Sequence, residues 1–282
     1  MIALIVCVTV GLALAMTGAW LLQRATGNGG WVDVVWTFAT GAGGVVYALA
    51  PTAGYAPGPR AILVAALVAV WSLRLGLHLA VRSARAEGED ARYAYFRKKW
   101  GAAFEGRLLV FLQIQALASA LLTLSVLVAA RNPAPGLRWI DFAAAAILVA
   151  AILGEGLADR QLAKFKSYPP NRGAICDVGL WSWSRHPNYF FEWFGWLAYP
   201  VIAIDLGGGW PWGWVALSGP AFMFYLLRFA SGVPPTEAAM ARSRGAAFAD
   251  YRARVSTFFP FPPKARPGEG GPAPTPASGD AA

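Results

Sequence analysis

Residues 61–81 read AILVAALVAVWSLRLGLHLAV, an apolar run from Ala61 to Val81 broken only by Ser72, Arg74, Gly76 and His78. A helix needs roughly 20 predominantly apolar residues to cross a hydrocarbon core of about 30 Å, so the run is read as a transmembrane helix. It decides the fold class. Backbone groups in lipid have no water to bond, and only helices and closed barrels satisfy them internally. The run has none of the strict alternation a barrel strand requires. Arg74 and His78 stand four apart and share one helical face.

Working outward, comparable runs lie at about Met1–Leu22, Trp31–Ala50, Leu108–Ala129, Trp139–Leu157, Tyr189–Leu206 and Trp212–Phe229. The first is too long for the apolar part of a signal peptide and has no basic start, so it reads as a retained helix. Between the runs stand the expected breakers: Gly27-Asn28-Gly29-Gly30, the Pro51–Pro59 stretch, Asn132-Pro133-Ala134-Pro135-Gly136 and Gly207-Gly208-Gly209. Trp20, Trp31, Trp139, Trp210 and Trp212 fall near span ends, where amphipathic rings favour the interface. The expected architecture is all-α: a polytopic bundle of about seven transmembrane helices in one domain, residues 1–263. From Lys264 to Ala282 the chain is Pro, Gly, Ala and Ser with almost no large apolar residue. Such a composition buries too little surface to offset its ordering entropy and reads as a disordered tail.

Composition agrees with a membrane solvent. Of the 282 residues 57% are hydrophobic and 14% charged, against about 25% charged in a soluble domain. The formal charge of +9 does not indicate nucleic acid, because the basic residues lie between apolar runs and form no face of a soluble fold. Anionic head groups or a phosphorylated cofactor are the better match. Arg82, Arg85, Arg92, Arg97, Lys98, Lys99 and Arg107 follow the third span. Arg160, Lys164, Lys166, Arg172 and Arg185 follow the fifth, and Arg242, Arg244, Arg252 and Arg254 the seventh. The alternate loops hold only Arg60, then Arg131 and Arg138. Basic loops stay in the cytoplasm, so the N-terminus is expected outside and the C-terminus inside. Cys7 and Cys176 are too few and too far apart for a disulfide framework or a zinc site. With only two histidines, no metal set is expected.

The candidate functional residues are polar groups at membrane depth: Asp33, Arg74 and His78, Glu155 and Asp159, Glu192 one turn after Asn188, and Arg228. A charge at the bilayer centre costs about 2.5–3.5 kcal/mol on insertion scales. Bland readings exist for several. Arg228, Glu155 and Asp159 also fit end-of-helix charges reaching for the interface, and Asp33 fits a first-turn residue favoured by the helix dipole. Arg74 is harder to explain so, because the apolar run continues on both sides. The segment Asn171-Arg172-Gly173 to Ser184-Arg185-His186-Pro187-Asn188-Tyr189 packs guanidinium, imidazole, amide and phenol groups against a coming helix N-terminus. Such a terminus suits a phosphate, arginine forks bind the same anion, and aromatic rings offer a flat surface for a base.

Ser184-Arg185-His186-Pro187-Asn188-Tyr189-Phe190, followed by Glu192 and Trp196, resembles the steroid 5α-reductase-like superfamily of membrane reductases, and more narrowly its bacterial DUF1295 branch. The resemblance covers nearly the whole chain before the tail. It includes Asn28…Val32-Asp33…Trp36, Trp71-Ser72-Leu73-Arg74-Leu75-Gly76-Leu77-His78, Glu87-Gly88-Glu89-Asp90-Ala91-Arg92-Tyr93 and Asp159 through Lys166. Ser231-Gly232-Val233-Pro234 through Glu237 and Tyr251…Phe259-Pro260 complete it. The resemblance implies NADPH entering from the cytoplasmic side and hydride passing to a polarised C=C bond in a hydrophobic small molecule held between helices. It implies cofactor contacts at Asp159, Lys166, Arg172, Asn188, Glu192 and Arg228, with Arg185, His186, Tyr189, Trp196 and Glu237 beside them. It also implies a multi-pass protein of a bacterial inner membrane. Steroid-reducing members carry a Gln-Glu pair on the second helix and a tyrosine on the third. That pair is missing here, so Asp33 stands as the acidic substitute and Arg74 with His78 as donors. Two other readings stand beside it. One is a membrane methyltransferase resembling isoprenylcysteine carboxyl methyltransferases, which share the Arg-His-Pro-Asn-Tyr block but bind S-adenosylmethionine. The other is a non-catalytic membrane protein or transporter, though no internal repeat is seen.

Overall fold

The computed structural model describes residues 1–86 and 88–265. Its helices are α1 (Ile2–Thr26), α2 (Gly30–Leu49), α3 (Pro59–Ala84), α4 (Ala91–Trp100), α5 (Phe104–Ala130), α6 (Trp139–Ser167), α7 (Pro187–Trp196), α8 (Ala198–Ala203), α9 (Ser218–Tyr225) and α10 (Val233–Arg254). Among the described residues there is no strand, only isolated bridges at Thr52 with Tyr55 and Ser184 with Ser256. Five stretches are long and apolar enough to cross a membrane: α1, α2, α3, α6, and Arg92–Ala130, which holds α4 and α5.

Two expected spans are not continuous α-helices. Tyr189–Leu206 falls on α7 and α8, which meet at Leu197, with Pro200 inside α8. Trp212–Phe229 is a 3₁₀ turn over Pro211–Leu217, then α9, then a π turn over Leu226–Ala230. Proline denies α8 a backbone donor, and a Cβ at Gly213 would stand 2.2 Å from the Ala203 carbonyl oxygen, so glycine lets the 3₁₀ turn pack against the end of α8. Part of the basic segment that follows α3 forms α4. The Asp90 carboxylate caps it, accepting from the Arg92 amide at 3.0 Å. The α6 helix runs 29 residues, roughly 43 Å at 1.5 Å per residue, and so carries Asp159 and Lys166 past the length one crossing needs. Of the expected tail, residues 266–282 lie outside the described residues. Its first residue, Lys264, donates its amide to the Arg254 carbonyl at 3.0 Å.

Small residues set the closest crossing. A Cβ at Gly41 would stand 2.2 Å from the Ser72 side chain, so only glycine lets α2 lie this near α3, and Ser72 then donates to the Thr37 carbonyl at 3.1 Å. Lipid is as apolar as leucine, so such fitting and interhelical hydrogen bonds hold the bundle.

At the end away from the basic segments, Arg60 is 5% exposed and forms an ion pair of 3.1 Å with the fully buried Asp141. It also donates to the carbonyls of Asn132, Ala134 and Gly136. Arg138 donates to Asp141 and to the Ile202 carbonyl, and the Asn132 amide to Ile202 and Ala203. Arginines that looked like ordinary loop charges therefore anchor the end of α8, which fixes where α7 lies against α6 and α3.

Candidate active site

Helices α3, α6 and α7 converge on a polar cluster. The four-residue spacing of Arg74 and His78 on α3 matches that of Glu155 and Asp159 on α6, so the two faces meet as ladders. Arg74 pairs with Glu155 at 2.6 Å and with Asp159 at 2.7 Å. His78 Nε2 lies 3.6 Å from Asp159, and the Asn188 amide reaches the other Asp159 oxygen at 3.5 Å. One turn deeper on α7, Glu192 receives the Trp71 indole N–H at 2.9 Å and that of Trp196 at 3.2 Å. The two indoles pack edge to face at 5.3 Å. Three carboxylates thus gather around one guanidinium, and Glu192 is held by neutral N–H donors in place of a cation. Unlike the others, His78 keeps 42% of its side chain exposed. A cluster of this kind can orient donors with little freedom and exchange protons at the imidazole edge.

The Ser184–Tyr189 segment is a clasp for the C-terminal part of the chain. Arg185 donates to Glu237 at 2.7 Å, to Thr257 at 2.7 Å, and to the carbonyls of Arg252 and Val255. Ser184 donates to the Phe258 carbonyl at 2.8 Å. His186 stacks on Tyr189, centroids 5.3 Å apart and planes within 6°, and its Nε2 is 3.2 Å from Glu237. The Tyr189 hydroxyl lies 3.5 Å from that of Thr236. Burial pushes the Glu237 carboxyl up, but hydrogen bonds from His186 and Arg185 outweigh it and hold the group at about 2. Burial lowers His186, more than Glu237 raises it. The Arg228 charge bears on the same imidazole, with its guanidinium 5.1 Å from the Phe229 ring centroid. Arg185 and Trp196 are thereby engaged by protein groups, while Asn188 and Tyr189 remain partly exposed.

Asp33 is not in the Arg74 cluster. It forms a close ion pair with Arg92, and its carboxylate lies 3.8 Å from Arg82. Burial raises the neighbouring Asp90, yet Arg92 and Arg82 pull it below the usual carboxylate range. Arg82 continues the α3 ladder one turn past His78, and its charge, with that of Arg244, bears on the exposed Lys166. Arg244 donates to the Gly173 carbonyl at 3.1 Å and so holds the loop that carries the exposed Arg172. Among the described residues, no three His, Cys, Asp or Glu side chains are arranged to hold a metal ion.

A family model described as "Protein of unknown function (DUF1295)" matches residues 19–255. The chain belongs to the DUF1295 family. The matched region contains every candidate residue from Asp33 to Glu237, and the family is linked in general to steroid 5α-reductase-like enzymes. No curated protein and no solved structure matches the chain.

The DUF1295 fold also brings in residues the sequence reading left aside. Trp71 joins Glu155, already a candidate from its spacing, in the buried cluster, Arg92 takes up Asp33, and the charges of Arg82 and Arg244 bear on Lys166. Glu155 had a visible signal, an acid one turn before Asp159 in an apolar run. Trp71 had one too, one turn before Arg74. Arg92 and Arg244 had none, since each lies among other exposed-looking charges on an element whose packing is set by tertiary contacts.

Proposed function

We propose that this DUF1295 protein is a membrane-embedded reductase that uses NADPH to saturate a C=C bond, conjugated to a carbonyl, in a steroid-like or other lipid. One observation carries the reading: a buried polar cluster between α3, α6 and α7, Arg74 with Glu155, Asp159, Asn188 and Glu192, beneath a cationic rim. The rim suits a phosphorylated nucleotide. Arg82 and Arg244, from two other elements, both bear on Lys166, and Arg244 holds the loop that carries Arg172. Mutual repulsion among such cations is relieved by an anion, and arginine forks match phosphate oxygens.

When bound, NADPH supplies the hydride. In this reading Lys166 and Arg172 bind its phosphates, and the partly exposed Tyr189 ring, backed by the buried His186, faces its flat groups. Asp159, Asn188, Glu192 and Arg228 orient it. Arg185, Trp196 and Glu237 act one step back, holding the α7 segment and Glu192 in place. On the substrate side Arg74, midway along α3, stands as a donor with His78, and Asp33, in the first turn of α2, as the acidic group. His78 delivers a proton from Nε2 to the carbon next to the substrate carbonyl, a role that needs only a positioned acid of suitable pKa. We further propose that the α7–α8 and 211–230 segments each cross the bilayer, making seven spans. The N-terminus is then outside and the basic rim cytoplasmic, in a bacterial inner membrane.

The test is incubation of membranes containing the protein with NADPH and a panel of enones, read by mass spectrometry for a gain of two hydrogens. Asn188→Ala and Arg172→Ala are expected to weaken NADPH binding. His78→Ala is expected to spare binding and slow turnover by about 10²-fold or more. If S-adenosylmethionine raises the melting temperature of the purified protein and NADPH does not, the methyltransferase reading replaces this one.

A further inference from the structure

A groove of about 400 Å³ runs along the outer side of α5, lined by Trp100, Gly106, Arg107, Val110, Phe111 and Ile114. Its floor is apolar and continues into a lipid-facing ridge. Val110 and Ile114 are 62% and 61% exposed, and Leu117 and Leu121 extend the ridge at helical spacing. One wall is the stacked pair Phe96 and Trp100, centroids 4.8 Å apart, with Phe111 set against it. At the mouth stands Arg107, exposed. Among the described residues, the acids of the segment before it are already paired: Glu89 with Arg97 at 3.0 Å, and Glu105 with Arg24 at 3.7 Å and Arg97 at 3.8 Å. Among the described residues Arg107 forms no ion pair, and Lys98 and Lys99 are exposed on the helix beside it.

We propose that this groove is a binding site for one anionic glycerophospholipid, with an acyl chain along Val110, Phe111 and Ile114 and the phosphate on Arg107. The charge and the apolar trough select the ligand together. A zwitterionic lipid fills the trough but brings a quaternary ammonium among the exposed cations Arg107, Lys98 and Lys99, so its headgroup offsets less charge than an anionic one, and a free phosphate matches the guanidinium but not the trough. The indole of Trp100 suits the boundary between the two. This site is independent of the reductase reading and lies on a different face of the chain from the Arg74 cluster.

The test uses the purified full chain in detergent, titrated with phosphatidylglycerol, phosphatidylcholine or inorganic phosphate, with retained lipid counted by native mass spectrometry. The wild type is expected to hold one phosphatidylglycerol in preference to phosphatidylcholine, and phosphate alone to displace neither. Arg107→Gln should reduce that preference about five-fold, the effect of one cation beside an anionic head group. Gly106→Leu fills the trough from within. A Cβ there meets nothing within 4 Å, and leucine favours a helix over glycine, so this variant folds and should lose the retained lipid of both kinds. Arg85→Gln, at the exposed end of α3, should change nothing. Equal retention of the two lipids by the wild type, an unaltered count in Gly106→Leu, or an equal loss in Arg85→Gln would each overturn the proposal.

Discussion

Replacing Arg74 with methionine is the most direct perturbation of the bundle's interior. Among the described residues the guanidinium is the one cation ion-paired with the Glu155 and Asp159 carboxylates, at 2.6 and 2.7 Å, apart from the His78 contact at 3.6 Å. Glu192 adds a third carboxylate held only by indole donors. Methionine keeps the length and apolar stem but leaves these acids without their cation. Breaking a buried ion pair by removing one partner costs about 3–5 kcal/mol. In a chain this large each kcal/mol moves the melting temperature by about 2–4 °C, so a loss of about 6–20 °C is expected for Arg74→Met in detergent. A second change, Glu155→Gln, removes one of the stranded charges. The double variant should therefore recover stability relative to the sum of the single effects, with a coupling of about 0.5–3 kcal/mol. Arg74→Lys should fall between, because a point charge cannot serve two carboxylates with a planar fork. A single Arg74→Met variant melting within about 2 °C of the wild type, less than the shift one kcal/mol produces, would refute the reasoning. So would strict additivity with Glu155→Gln.

Acid should loosen the C-terminal clasp. Glu237 is held at about 2, so its contribution to folding is complete above the unfolded value of ~4.3 and is lost as pH falls towards about 2. His186 is depressed by burial, so its contribution is lost as pH falls below its unfolded value of ~6.5. Both push the same way, and hydrogen-exchange protection over Val233–Arg254, corrected for the intrinsic exchange rate at each pH, should fall from pH 7 to pH 4. In Glu237→Gln it should already be lower at pH 7, and pH-independent protection in the wild type would sink the idea. A third expectation concerns Gly29, where a Cβ would stand 2.1 Å from the Tyr93 ring. Gly29→Ala should push α4 away from α2, cost about 1–3 kcal/mol as overpacking does, and expose Arg92 to trypsin. Unchanged stability and cleavage would show that the two elements are not in contact.

The membrane assignment was legible because it depends on transfer of single side chains. Five apolar runs were visible as helices, and the structure extends several of them by a few residues, α1 to Thr26, α3 to Pro59 and Ala84 and α5 back to Phe104, and α6 by ten residues to Ser167. The pairing of Arg74 and His78 on one face, and of Glu155 and Asp159 on another, also followed from helical spacing alone. Both facts are local, and local facts survive without knowledge of the partner.

What the linear chain left open depends on which faces meet. Two expected spans are broken into short α, 3₁₀ and π pieces, because proline and glycine interrupt them and packing against α5, α6 and the Arg60 clasp absorbs the irregular backbone. Asp33 went to Arg92 and not to Arg74, since α4 folds over the start of α2 and supplies the nearer cation. Charges at distant sequence positions find partners by reach and burial, and neither is encoded in spacing. By itself the sequence determined a helical chain made for lipid, with a polar face on its third helix. Only the tertiary structure decided that this face closes on Glu155, Asp159 and Glu192. A carboxylate inside an apolar bundle must take the nearest donors that the packing brings to it.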